Sequence, residues 1–336
     1  MTRAEQPDAG YCRRGVAALA IGLPLVDALD LVERTCALSG AAYREALSQA
    51  VERATNTTTP PQARALRTLF LEIERILARL WYLSECARAC DLSFYQGHAL
   101  DQRETLYTAL QEATGSRHFW RIALPAGARD DLTVSGLGPA LKALESSLEG
   151  WRRATDTHGP LGRAGANVGV ISAKVAGTLG LTSLAAAGSL PVEDLRRTQA
   201  YGGYADLTEE ITWPSAPTSL KGDAAERMRV AVADLATSYA IALSCVSIVE
   251  GGPLEYQARL GTPAADTRGE ARIEGAHGPI TVRVTLGPES EIVTLALESS
   301  ARTTVDALPI ILEDTRLDKV PLLLASLDLC LECNDQ

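Results

Sequence analysis

Lysine is scarce in this 336-residue chain: Lys142, Lys174, Lys221 and Lys319 are the only four among 32 basic residues. Such an arginine and alanine bias is what a GC-rich coding sequence produces, so it does not by itself mark guanidinium binding sites. Positive charge is also outweighed. The 42 acidic residues leave a net charge of −10, which argues against a generally basic nucleic-acid-binding surface and leaves room only for a local patch. No apolar run approaches the ~20 residues of a membrane-spanning helix. The early run over residues 15–26 has twelve, and later ones are interrupted by Lys174 or Asp234, so no transmembrane helix is expected. An even set of cysteines is missing too. Seven of them in so long a chain do not make a secreted disulfide framework. With 46% hydrophobic and 22% charged residues, the composition is that of an ordinary globular protein. Arg13 and Arg14 ahead of the early apolar run imitate a twin-arginine export signal. Asp27, Asp30 and Glu33 follow at once, however, and the segment runs into an amphipathic helix, so it reads as part of the fold.

What is present is helical periodicity. Residues 16–55 read as helix, with Leu25, Leu29, Val32 and Cys36 on one stripe and Tyr43, Leu47 and Val51 continuing it. After a break at residues 56–61, the strongest helical segment covers about 61–92, where Leu66, Leu69, Phe70, Ile73, Ile76, Leu77, Leu80 and Trp81 form a wide apolar face. Cys86 and Cys90 lie one turn apart on it and read as small core residues. Further helices are expected at about 99–114, ending at Gly115, at 138–155, and at 224–249, ending at a stop signal through Gly252 and Pro253. Residues 121–138 read as loop, and 158–220 as loops joining short helices. Residues 270–298 alternate apolar and polar residues around Gly and Pro turns, the pattern of two or three antiparallel strands. A short helix and an apolar run, residues 320–324, then lead into Cys330 and Cys333. No internal repeat is visible. The expected class is mainly α with a small antiparallel β region (α+β), as one domain over residues 1–336.

The polar residues within these helices carry more. Arg67, Glu72, Arg75, Arg79 and Leu80 give the spacing R-x4-E-x2-R-x3-R-L. Arg103-Glu104, then Glu112, Thr114-Gly115 and Arg117, form a second short motif. Leu181-Thr182, Gly188, Asp194, Arg196 and Tyr204 form a third, followed by Gly222-Asp223 with Arg227, by Arg268-Gly269-Glu270, and by Ser326-Leu327-Asp328 before the C-x-x-C. In this order the chain resembles, over about residues 12–336, the family that holds the 49-kDa-type subunit of respiratory complex I and the large subunits of nickel–iron hydrogenases. Where that family usually has His, this chain has Arg79.

The resemblance implies a site. Hydrogenases of the family hold a nickel–iron centre on two C-x-x-C pairs, soft thiolates suiting redox-active late metals. The corresponding positions here are Cys36, Ser39, Cys330 and Cys333, so a serine stands in for one thiol, and Tyr43 for a following His. A serine hydroxyl is a hard ligand that does not ordinarily ionise, so the set implies a degenerate nickel–iron site without the standard metals. Three readings of the cysteines stay open: an empty buried thiol cluster, a surviving metal or Fe–S-like ligand set, and a redox disulfide between Cys330 and Cys333. The family's quinone-site positions fall on Arg13 and Leu38, and its proton-moving carboxylate on Ala17. Arg13 stays cationic and cannot shuttle protons. Only three residues follow Cys333, an ending resembling that of complex I or of membrane-bound energy-converting hydrogenases. The implied partners are a small Fe–S subunit carrying the cluster, other hydrophilic subunits and integral membrane ion-translocating subunits, with no nucleic acid. The implied place is the cytoplasmic side of the cell membrane, with a peripheral attachment. An active hydrogenase tolerating Ser39 and a redox-silent scaffold are the alternatives.

Overall fold

The computed structural model describes residues 14–191, 193–207, 211–213, 221–251, 256–313 and 315–334. Three helices open it, α1 (Val16–Leu19), α2 (Leu25–Glu33) and α3 (Gly40–Ala54), followed by the long pair α4 (Pro61–Ala89) and α5 (Ser93–Thr114). A small hairpin, β1 (Ala123–Leu124) and β2 (Gly127–Ala128), precedes seven short helices: α6 (Leu137–Glu145), α7 (Leu148–Thr155), α8 (Pro160–Gly165), α9 (Ala173–Leu179), α10 (Ser183–Ala186), α11 (Leu195–Thr198) and α12 (Gly203–Asp206). Then come α13 (Ala224–Gly251), the strands β3 (Thr267–Gly275), β4 (Gly278–Leu286) and β5 (Ile292–Ser299), and finally α14 (Ala301–Ile311) and α15 (Val320–Ser326). The mainly α reading with one late antiparallel sheet matches this order.

α4 is the axis of the molecule. It starts at Pro61, whose missing N–H is no loss in a first turn, and it is buried on almost every side. Trp81, expected on its apolar face, is instead exposed, with the Arg103 guanidinium over its ring. α13 and α5 pack along it, with α15 and α12 covering further turns. The sheet runs β3-β4-β5, all antiparallel. Its buried side chains include Ala271, Ile273, Ile280, Val282 and Val284, and α3 packs on the sheet. The approach is close at Gly269, where a Cβ would come within 1.9 Å of the Ala50 carbonyl oxygen. Gly275 pairs with Gly278 across β3 and β4, so Ala276 and His277 alone form the hairpin tip. Gly278 has φ +108°, and a Cβ there would meet Ser300 Oγ at 2.4 Å, so the turn requires glycine.

Several expected elements need correction. Residues 16–55 are three helices, because Gly22 takes φ +79° ahead of Pro24 and the chain turns again between Arg34 and Ser39. The helix expected over 138–155 is broken at Ser146 and Ser147. The helix expected from about residue 99 starts six residues earlier, at Ser93, and the loop over 121–138 contains β1 and β2. The apolar run at residues 320–324 is helical, within α15. α13 does have the length and mean hydropathy of a membrane span, since the single carboxylate of Asp234 does not offset so many apolar residues. More than half of that stretch is buried within the protein, as in a core helix. Cys12, Arg13 and the stop residues Gly252 and Pro253 lie outside the described residues.

Candidate three-thiol site

The motif residues of α4 serve as anchors for distant segments. Arg67 is buried and donates to Glu52 at 2.6 Å and to the Gly127 carbonyl at 2.7 Å, fastening β2 and α3. Glu72, fully buried, accepts two contacts from Arg196 at 3.1 and 3.2 Å and another from the Tyr204 hydroxyl. Its partner is therefore Arg196, 124 residues away, and not its helix neighbour Arg75. Arg75 reaches the Glu274 carbonyl at 2.7 Å. Arg227 donates to the Gly222 and Gly169 carbonyls and to Ser326 Oγ, so the motif after Gly222 and the one opening at Ser326 meet. Several of the short motifs, scattered in sequence, thus meet in space.

Arg79 links two places. It donates to Asp234 at 2.7 Å, to Asp328 at 2.9 Å and to the Ala276 carbonyl at 2.8 Å, joining α4 to α13, to the β3–β4 tip and to the turn before Cys330. On one side of it lies a cavity of about 600 Å³, lined among others by Arg75, Asp194, Arg196, Trp213, Asp234 and Glu274. Burial raises the Glu274 carboxyl to about 7, although Arg75 opposes the shift. Burial acts the same way on Asp234, but Arg196, Arg79 and Arg75 outweigh it and hold its carboxyl far below the usual range.

On the other side lie the thiols. Cys36 sits in the turn between α2 and α3, Cys330 in the turn after α15, and Cys333 in the 3₁₀ turn over Glu332–Asn334. All three are buried, their sulfurs lie within 4.8 Å of one another, and Cys36 Sγ is 3.5 Å from Cys330 Sγ. Local bonds fix the turns. Glu332 Oε2 accepts from the Ala37 N–H at 2.7 Å, Asn334 donates to the Cys330 carbonyl at 2.9 Å, and the Tyr43 hydroxyl donates to the Cys333 carbonyl at 3.3 Å. His277, at the hairpin tip, places Nδ1 3.3 Å from Asp328 Oδ2. Burial opposes charge on its ring, but Asp328 and Cys330 outweigh that and keep its pKa well above the ordinary value. Hydrogen bonds from Cys333 and Cys36, helped by His277 and opposed by burial, draw the Cys330 thiol well below its usual range; Cys36 and Cys333 rise correspondingly.

Of the residues singled out by resemblance, the structure thus brings Cys36, Cys330 and Cys333 together. Ser39, three residues past Cys36, is buried at the N-cap of α3, and its hydroxyl has no hydrogen-bond partner. Leu38 is half-buried beside the site, its N–H 3.4 Å from Cys36 Sγ. Arg13 falls outside the described residues. His277 and Glu332 escaped the sequence reading. The only signal for His277 was its place close to two glycines in a hairpin. A nickel–iron centre on two C-x-x-C pairs needs four thiolates. Three sulfurs and a hard, un-ionised serine hydroxyl do not fit that centre.

The profile of the family described as "Respiratory-chain NADH dehydrogenase, 49 Kd subunit" matches residues 95–268, just over half of the chain, and this protein belongs to that family. Among curated relatives, it is 23% identical to the "Carbon monoxide-induced hydrogenase" of Rhodospirillum rubrum, over 98% of this chain and 90% of that protein. It is 26% identical to an NADH-quinone oxidoreductase subunit of the same organism, over 79% of this chain and 67% of the relative. It is 25% identical to the "NADH dehydrogenase [ubiquinone] iron-sulfur protein 2" of Arabidopsis thaliana, with 80% of this chain and 68% of the relative covered.

Proposed function

We propose that this protein is the large subunit of a multisubunit, membrane-associated oxidoreductase complex of the respiratory or hydrogenase-like kind, without a standard nickel–iron centre and without standard quinone-site residues. Relatives named as an NADH-quinone oxidoreductase subunit and as a hydrogenase support the first half. The observation that carries the second is the pocket of Cys36, Cys330 and Cys333, with serine at the fourth ligand position. In this reading the chain docks a small Fe–S subunit that carries the electron-transferring cluster. It sits with other hydrophilic subunits on the cytoplasmic face of integral membrane ion-translocating subunits. Its own part is to hold those subunits in register, while the α4 anchors keep the thiol pocket and the cavity rigid.

Affinity purification of the tagged full-length chain from its native cells, with metal analysis of the recovered material, tests this reading. Recovery with a small Fe–S protein and membrane subunits, iron present and nickel absent, is expected. Stoichiometric nickel makes the protein a working hydrogenase instead. Recovery of the chain alone removes the complex-subunit reading.

A further inference from the structure

We propose that Cys36, Cys330, Cys333 and His277 together bind one thiophilic cation of the zinc class in tetrahedral ligation. The proposal goes beyond the reading above, which requires only that the dinuclear centre be lost. The first ground is the spacing of the sulfurs. Tetrahedral zinc with Zn–S bonds of ~2.3 Å sets its sulfurs about 3.8 Å apart. Cys36 and Cys330 place theirs 3.5 Å apart and the whole set falls within 4.8 Å, which brackets that value. A disulfide, at ~2.05 Å, would have to pull one pair together and abandon the third sulfur.

The second ground is independent of the sulfurs. His277 is buried beside Cys330; its Nδ1 faces Asp328 Oδ2 at 3.3 Å, and neither ring nitrogen makes a hydrogen bond of good geometry. A buried imidazole whose Nε2 has no well-formed hydrogen bond, while a carboxylate stands at Nδ1, is an exception that calls for a reason. A metal supplies it: one nitrogen takes the ion, and the other is turned by a carboxylate, as in the carboxylate–histidine–metal arrangement of zinc proteins. Asp328 is that carboxylate, with Oδ2 3.3 Å from Nδ1, and it is itself held by Arg79 at 2.9 Å. Asp328 has its own place fixed before any ion arrives. The three sulfurs are already clustered; with the His277 nitrogen drawn in from beside Cys330 on binding, they would make a closed Cys₃His set, the kind used structurally, with no open position for substrate. Binding displaces the thiol protons to solvent, and no electron moves.

The test is a cobalt(II) titration of the full-length chain, purified reduced and under anaerobic conditions, then stripped with a chelator. One cobalt per chain is expected, with intense sulfur-to-cobalt absorption in the near ultraviolet and the visible bands of a tetrahedral ion. Added zinc should bleach both. Cys330→Ser should lower the near-ultraviolet intensity per bound cobalt by about a third or more and weaken binding, and His277→Gln should weaken binding at least tenfold and shift the visible bands. Cys86→Ser, a buried thiol elsewhere on α4, should change nothing. Circular dichroism checks that each variant is folded. Wild-type protein without the near-ultraviolet band overturns the proposal, with no variant needed. So does a band of undiminished intensity and affinity in Cys330→Ser, and unchanged affinity in His277→Gln removes the histidine and with it the closed set. Nickel and iron together in the protein as isolated would instead sink the proposed function, so the two failures are told apart.

Discussion

Replacing Glu72 with alanine takes a carboxylate from the middle of α4, where it is fully buried and bonded to Arg196 and Tyr204. Removing one member of a buried ion pair costs about 3–5 kcal/mol when its partner is left uncompensated. Arg196 keeps Asp194 at 2.7 Å and Asp234 at 2.5 Å, so the charge is not abandoned and the low end applies to the pair itself. The Tyr204 hydroxyl loses its bond to Glu72, which adds about 1–2 kcal/mol. The expected loss is therefore about 4–5 kcal/mol. At about 2 °C per kcal/mol for a chain of this size, the melting temperature should fall by roughly 8–10 °C. Glu72→Gln, which keeps the shape and one acceptor, should lose less. A double-mutant cycle with Arg196→Met should return a coupling above about 1 kcal/mol, because the groups share one network. Denaturant titration and scanning calorimetry measure both. A loss below about 1 kcal/mol, or an additive cycle, would refute the claim that the motif residues of α4 act as structural anchors.

Glu74 accepts from the Ala41 and Ala42 N–H groups at the start of α3, yet burial raises its carboxyl to about 7 from 4.5. Between those values the folded chain holds a proton that the unfolded chain has lost. Its contribution to stability therefore falls as pH rises, by up to about 1.4 kcal/mol per pH unit, and Glu74→Gln should flatten that slope in urea titrations between pH 4.5 and 7. Gly269→Ala drives a methyl into the Ala50 carbonyl, so a loss of about 1–3 kcal/mol is expected by chemical denaturation. Arg79→His restores the residue usual at that position in the resemblance, but the shorter side chain cannot keep Asp234, Asp328 and the Ala276 carbonyl together. It should cost about 2–4 kcal/mol and speed alkylation of Cys330 and Cys333, read by mass spectrometry; unchanged alkylation would show that Arg79 does not brace the turn.

The long helices were legible because their apolar residues recur with helical period over many turns. α4 and α13 were placed within three residues at either end. The breaks within residues 16–55 were harder, since the apolar stripe of α2 runs on in phase toward α3 and hides the turn holding Cys36. The partners of the motif residues were not legible at all. Spacing on α4 puts Glu72 next to Arg75, but the salt bridge goes to Arg196, a choice made by where α11 lies beside α4 and α13. The thiol cluster could be expected only from resemblance, because nothing in the local sequence joins Cys36 to Cys330. His277 was invisible for a related reason. A histidine near glycines at a hairpin tip looks like a solvent-facing turn until the tip is buried against Arg79 and Asp328.

Cys36 and Cys330 are separated by 294 residues. On a ribosome adding ~5–20 residues per second, Cys36 waits roughly 15–60 s before its first sulfur neighbour is made. Throughout that interval the turn between α2 and α3 has no Glu332 to hold the Ala37 N–H and no Cys333 carbonyl to receive Tyr43. The early thiol is therefore open to oxidants and to stray metals while the nascent chain is still growing, and its protection is delivered only once residues 330–333 have been added.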